Sequence, residues 1–185
     1  MEVNLIMNSR LVHRLTFSAL LAAAYAALTM ATGFMSYGYV QLRIAEAFCI
    51  LPFFFPFTTW GLFIGCVIAN LLSPVGIADI VFGSLATLLA CLSVAVIGRG
   101  GRSMGRCIAA CAMPVLWNAV IVGAVIAFAG SPVSMAAGIL LFPMYAGFVA
   151  LGEAAVMFII GLPLMRALPK KAAFRRLCER LDAAI

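Results

Sequence analysis

Polar positions are sparse along this chain, and their spacing cuts it into six apolar stretches. The first runs from Leu15 to about Tyr37 behind Arg10, His13 and Arg14, and predicts a helix over 12–35. A Gly/Tyr/Ser break at 36–39 ends it. Further helices are predicted at 42–55 (ended by Pro56), 58–72 (stopped by Ser73-Pro74) and 76–97. After a polar loop from Arg99 to Arg106 come helices at 107–129, closed by Gly130-Ser131-Pro132, and 134–167. Pro143 and Pro163 are expected to kink the last, because proline removes a helix hydrogen bond. A span of about 20 residues crosses a hydrocarbon core of ~30 Å. The 42–55 and 58–72 stretches are short, so they are expected to be tilted or lodged inside the bundle, where protein or a watery cavity covers the backbone. Continuous apolar runs without alternation argue against a membrane barrel.

The pattern therefore predicts an all-α integral membrane protein, a bundle of six transmembrane helices. It divides into a short N-terminal tail (1–11), a membrane domain (12–167) and a basic C-terminal tail (168–185). The first run exceeds the ~7–15 residues of a signal-peptide core, so it is expected to remain as a helix. Met1 to Ser9 is expected to be a frayed tail, with Met7 as an alternative start. The C-terminal tail forms either a basic helix at the interface or a solvated extension.

Composition agrees. Apolar residues make up 66% of the 185 residues and charged residues 10%, against roughly 25% charged in a soluble domain. The net charge of +6 is placed as an orientation signal rather than a nucleic-acid surface. Arg10 and Arg14 precede the first helix. Arg99, Arg102 and Arg106 lie between the fourth and fifth, and Arg166, Lys170, Lys171, Arg175, Arg176 and Arg180 follow the body of the sixth. Six spans bring all three groups to one face, which the positive-inside rule makes cytosolic together with both termini. The six cysteines include no C-x-x-C, and His13 is the only histidine. They read as small apolar packing residues, with no disulfide, metal site or cofactor expected.

The informative residues are polar ones at membrane depth, where an ionised side chain costs about 2.5–3.5 kcal/mol at a helix centre. They are Glu46, Asp79 and Glu153, with Arg43 as the only base. Arg43 and Glu46 are spaced i, i+3, so they form either a self-neutralising pair on one helix face or part of a site. Asp79 either caps the fourth helix or faces the interior. Asn70 is either interhelical glue or a binding group. Glu153 has no base one turn away and is the strongest candidate. Trp117 and Asn118 fall near the middle of the fifth helix; Trp117 either packs or offers a stacking face. All converge on the outer half of the bundle, where an importer captures its substrate. Alanines at 19, 23, 27 and 31, with a second row at 22 and 26, form a small-residue stripe on the first helix. It serves packing within the chain or against a partner subunit. No catalytic set and no phosphate loop is present, so an enzyme is not expected, and ATP-driven transport would need another protein as motor.

Several segments resemble the queuosine-precursor transporter (QueT) family. These are Gln41-x-Arg43-x-x-Glu46-Ala47, Leu51-Pro52-Phe53-Phe54, Gly61 to Gly65 with Ala69-Asn70-Leu71, and Asp79 to Thr87. Pro114-Val115-Leu116-x-Asn118-Ala119, Gly152-Glu153 and Gly161 to Leu164 follow in order. The resemblance spans about 18–166. It implies a six-helix substrate-binding (S) component of an energy-coupling factor (ECF) importer in a bacterial cell membrane. Such a subunit captures a 7-deazaguanine queuosine precursor, queuine or queuosine from outside and docks on a transmembrane T component with two ATPases. The resemblance further implies that Ala19, Ala23 and Ala27, or alternatively Ala22 and Ala26, contact the T component. A deazaguanine presents adjacent N–H donors that Glu153 or Glu46 can accept together; Asn118 suits its carbonyl edge, and Trp117 or Tyr145 its ring face. The competing expectation is a stand-alone ion-coupled carrier using Glu153 or Asp79.

Overall fold

The structure, a computed structural model, describes residues 2–36, 41–74, 76–129 and 135–181. The breaks expected at 37–39 and at Gly130-Ser131-Pro132 lie outside these residues. Every described element is helical: α1 (Glu2–Ala31), the short α2 (Gly33–Ser36), a 3-10 helix (Ile44–Phe53), α3 (Thr58–Asn70), a π turn (Asp79–Gly83) leading into α4 (Ser84–Gly98), and α5 (Met104–Ala129). Then α6 (Met135–Ala154) passes through a π segment (Ala155–Gly161) into α7 (Leu162–Ala167), a 3-10 turn (Leu168–Lys170) and α8 (Ala172–Leu181). α1 starts at Glu2, so the stretch expected to fray continues the helix; no proline or glycine interrupts it. Four segments are long and apolar enough to cross a membrane: Arg10–Ala31, Asp79–Gly98, Met104–Phe128 and Met135–Lys170. Ile44–Phe53 and Thr58–Asn70 are shorter apolar helices.

The small residues of α1 divide into two faces. Ala22, Tyr25 and Ala26 are buried, whereas Ala19, Ala23 and Ala27 are exposed. The buried face meets the G-x-x-x-G of α3: a methyl group on Gly61 would come within 2.4 Å of the Ser18 carbonyl oxygen, and one on Gly65 within 2.6 Å of that of Ala22. The 22/26 row is therefore used inside the chain, packing backbone on backbone as small residues allow.

The 3-10 helix between these elements is unusually long, since runs beyond three or four residues are uncommon. At about 2.0 Å per residue its ten residues reach ~20 Å, where an α-helix would reach ~15 Å. Its start holds Glu46, and its end merges into the lower core with Ile50, Phe53, Phe54 and Phe55.

The lower end is closed by α8. Phe174, Cys178 and Leu181, spaced i, i+4, i+7, are buried in the core that contains Phe53 to Phe55. Phe174 meets Phe54 edge-on at 5.2 Å between ring centroids. Arg175, Arg176 and Arg180 point outward. Arg14 Nε donates to the Leu181 carbonyl (3.1 Å), and Arg14 and Arg102 lie 5.5 and 5.4 Å over the rings of Phe57 and Phe54. The basic tail is thus an amphipathic helix seated on the protein. Burial pushes the Cys178 thiol pKa up, and the charge of Arg102 offsets part of that.

Candidate functional site

Above that basic floor, from the level of Thr87, about 17 Å along α4 from Gly98, up to Asp79, the buried polar residues gather into two groups. The first is built by the 3-10 helix, α1, α3, the π turn and α4. Side chains three apart eclipse in a 3-10 helix, which sets Cys49 below Glu46; its thiol donates to Glu46 Oε2 (3.0 Å). On the other oxygen, Glu46 Oε1 accepts from the Tyr25 hydroxyl of α1 and from Thr87 Oγ1 of α4 (3.2 Å). Both carboxylate oxygens of Glu46 are therefore bonded within the protein, at no solvent exposure.

Arg43 does not share a helix face with Glu46. It stands just before the 3-10 helix with extended backbone (φ −84°, ψ 94°), and its guanidinium reaches across to Asp79 Oδ2 (3.4 Å). Both side chains are 1% exposed. The i, i+3 pairing expected from spacing fails because Arg43 precedes the helix rather than lying on it. The capping role considered for Asp79 is likewise not what forms: Asp79 sits in the π turn, preceded by Ala78 in helical conformation with no side-chain cap, and faces Arg43. Asn70 fixes this corner. Its amide donates to the Asp79 carbonyl (3.0 Å) and to Ser84 Oγ (3.2 Å). Cys66 lies between, accepting from Asn70 (3.5 Å) and within 3.3 Å of Thr87 Oγ1.

The second group is smaller. Asn118 of α5 donates its amide to Glu153 Oε1 of α6 (3.1 Å). Glu153 is 1% exposed, and the two groups adjoin as one polar interior. The backbone brings them together at Gly152, where a methyl group would come within 2.5 Å of the Gln41 carbonyl oxygen. Both groups border π-helical backbone, Asp79 inside the first segment and Glu153 just before the second; such bulges are frequent at functional sites.

Four buried side-chain oxygens here have no hydrogen-bond partner: Glu153 Oε2, Asn118 Oδ1, Asn70 Oδ1 and Asp79 Oδ1. An unsatisfied buried polar atom costs roughly 1–3 kcal/mol. All four are oxygens that can accept, so N–H or O–H donors would satisfy them. The other candidates stand apart. Trp117 is half-buried and its indole N–H donates to Ser93 Oγ of α4 (3.0 Å). Tyr145, also half-buried, lies eight residues before Glu153, about 12 Å along the helix. An apolar crevice of about 450 Å³ between Phe82 and Phe128 borrows none of the polar residues.

The structure also recruits residues that the sequence left among the packing: Tyr25, Cys49, Cys66, Ser84 and Thr87. Two signals pointed to them. Cys49 is three residues from Glu46, and Tyr25 is the one polar handle within the alanine-rich run of α1. All six cysteines are buried and free, with Cys49 and Cys91 in thiol contact at 3.5 Å. Among the described residues, no group of three or more His, Cys, Asp or Glu is arranged to hold a metal.

No curated protein and no solved structure matches this chain. A family model does: that of the QueT transporter matches residues 15–170, which takes in every side chain of the polar interior and all of the membrane-capable segments except residues 10–14. This multi-pass membrane protein belongs to the QueT transporter family.

Proposed function

We propose that the chain is the substrate-capturing S component of an ECF-type importer in the cell membrane, and that it binds a 7-deazaguanine queuosine precursor. On this reading the four long helices and the two shorter ones make six spans, with both termini and the basic floor in the cytosol. The polar interior then opens outward. The observation that carries the substrate class is the set of unsatisfied acceptors around Glu153 and Asn118. A deazaguanine offers an exocyclic amine and an adjacent ring N–H, and a carboxylate accepts such a pair in a charge-assisted, two-pronged contact. Glu153 keeps one oxygen open for that contact while Asn118 orients the other. Arg43, Asp79, Asn70 and Glu46 form the wall behind it.

The exposed face of α1 supports the partner half of the proposal. Ala19, Ala23 and Ala27 remain outward after Ala22 and Ala26 are used against α3. An outward small-residue row gains nothing from lipid but lets another helix approach closely. A T component carrying two ATPases fits that face, and the chain itself would supply no ATP hydrolysis.

The test is equilibrium binding of deazaguanines to the purified chain in detergent, with Glu153→Gln alongside. Saturable binding that weakens by roughly 10–100-fold in the variant, the worth of one charge-assisted hydrogen bond, is expected. Failure of a well-folded wild-type sample to bind any deazaguanine would sink the substrate assignment. Co-purification with a T component and ATPases tests the partner assignment separately; uptake by the chain alone would point to an ion-coupled carrier instead.

A further inference from the structure

The basic floor contains a feature that substrate capture does not use. Where α7 bends into the 3-10 turn, a crevice of about 630 Å³ opens against the first turn of α5. One wall is apolar (Met104, Leu162, Pro163) and the rim carries Arg166, Lys170 and Lys171. A smaller crevice of about 260 Å³ adjoins it, sharing Met104, Arg166 and Lys170 and adding Arg102. No carboxylate lines either one. All three rim cations are exposed, so none is consumed by the fold.

The position narrows the ligand. Lys170 ends the membrane-capable segment Met135–Lys170, whose 36 residues run about 54 Å as helix and so outrun a ~30 Å hydrocarbon core, which puts the basic end of the segment at headgroup level. The apolar wall is on the membrane side of that level, since Leu162 and Pro163 precede the cations within the same segment and Leu164 is exposed beside them. A soluble phosphate compound has no use for the apolar wall, and a nucleic acid has none for a crevice at this depth. A molecule with an anionic head and an apolar tail matches both halves. Basic pockets between membrane helices bind anionic headgroups by this chemistry. We propose that this crevice is a binding site for an anionic phospholipid. Its phosphate sits among Arg166, Lys170 and Lys171, and one acyl chain lies along Met104, Leu162 and Pro163.

Native mass spectrometry of the full chain in detergent, titrated with phosphatidylglycerol or phosphatidylcholine, reads the proposal directly. The wild type is expected to retain phosphatidylglycerol at least roughly tenfold more strongly than phosphatidylcholine. The triple variant Arg166→Gln, Lys170→Gln, Lys171→Gln should lose that preference. The control Arg175→Gln, Arg176→Gln, Arg180→Gln, on the outer face of α8, should keep it. Equal losses in both triples would mean diffuse attraction to a basic surface and would overturn the site. So would a first triple that binds lipid like wild type yet fails to co-purify with ATPases, which would make the crevice a protein-docking surface. A photoactivatable phosphatidylglycerol cross-linked to the unmodified chain covers the case of a variant that does not fold. Adducts within residues 104–107 or 162–171 are expected, and adducts only elsewhere would overturn the proposal.

Discussion

Glu46 and Glu153 are both buried carboxylates in one polar interior, yet their surroundings are opposite. Glu46 is enclosed by donors from three elements, with each oxygen occupied by Tyr25, Thr87 or Cys49. Glu153 has one donor, Asn118, and one oxygen left over. A fully satisfied network rigidifies a core, whereas a half-satisfied one carries a cost that evolution retains only for a reason. The difference teaches that depth in the membrane does not by itself set a carboxylate's surroundings; Glu46 has both oxygens filled, and Glu153 has one oxygen without a partner.

The largest effect that can break this comparison is at Arg43. Arg43→Ala leaves the buried Asp79 carboxyl without its cation, a loss of about 3–5 kcal/mol. A sharp drop in the melting temperature in detergent is expected, with ligand binding lost only because the fold is. An unchanged melt with binding abolished would move Arg43 from the enclosed half to the open one. Glu153→Gln comes next and inverts the pattern: a melt like wild type, with the affinity loss given above. Tyr25→Phe removes one donor from Glu46 and should lower stability by about 1–2 kcal/mol, with affinity held within about threefold. A large affinity loss there would erase the distinction between the two carboxylates. The smallest effect is expected at Trp117→Phe, which loses the bond to Ser93, worth roughly 0.5–1.5 kcal/mol, and leaves affinity alone. A tenfold weaker ligand in that variant would put the indole ring against the substrate.

Much of the scaffold is legible because its punctuation is local. Pro56 and the Ser73-Pro74 stop bracket α3 within two residues of the expected 58–72, and the charged loop from Arg99 separates α4 from α5. The polar interior was legible by residue type: Arg43, Glu46, Asn70, Asp79, Asn118 and Glu153 stand out as polar at depth, and all are buried together there. Their partnering was not legible, because it depends on backbone that periodicity does not encode. A 3-10 helix and an α-helix share the same apolar run, so nothing in 42–55 revealed that Arg43 precedes the helix, and the spacing of Cys49 from Glu46 hinted at contact without showing that the two stack. The π turn at Asp79 is equally silent, which is why a cap was a reasonable expectation and an ion pair with Arg43 the outcome. The two alanine rows of α1 could be told apart only once Gly61 and Gly65 were seen beneath Ser18 and Ala22.

The 3-10 helix has a mechanical consequence. Its length is set by its hydrogen-bond register, and re-registering Ile44–Phe53 from i+3 to i+4 bonding would shorten it by about 5 Å. Phe53 is held at the lower core, so the travel would appear at the other end, and Glu46 would be drawn out of reach of Tyr25 and Thr87. The Tyr25 and Thr87 bonds to Glu46 therefore help to fix the length of this helix.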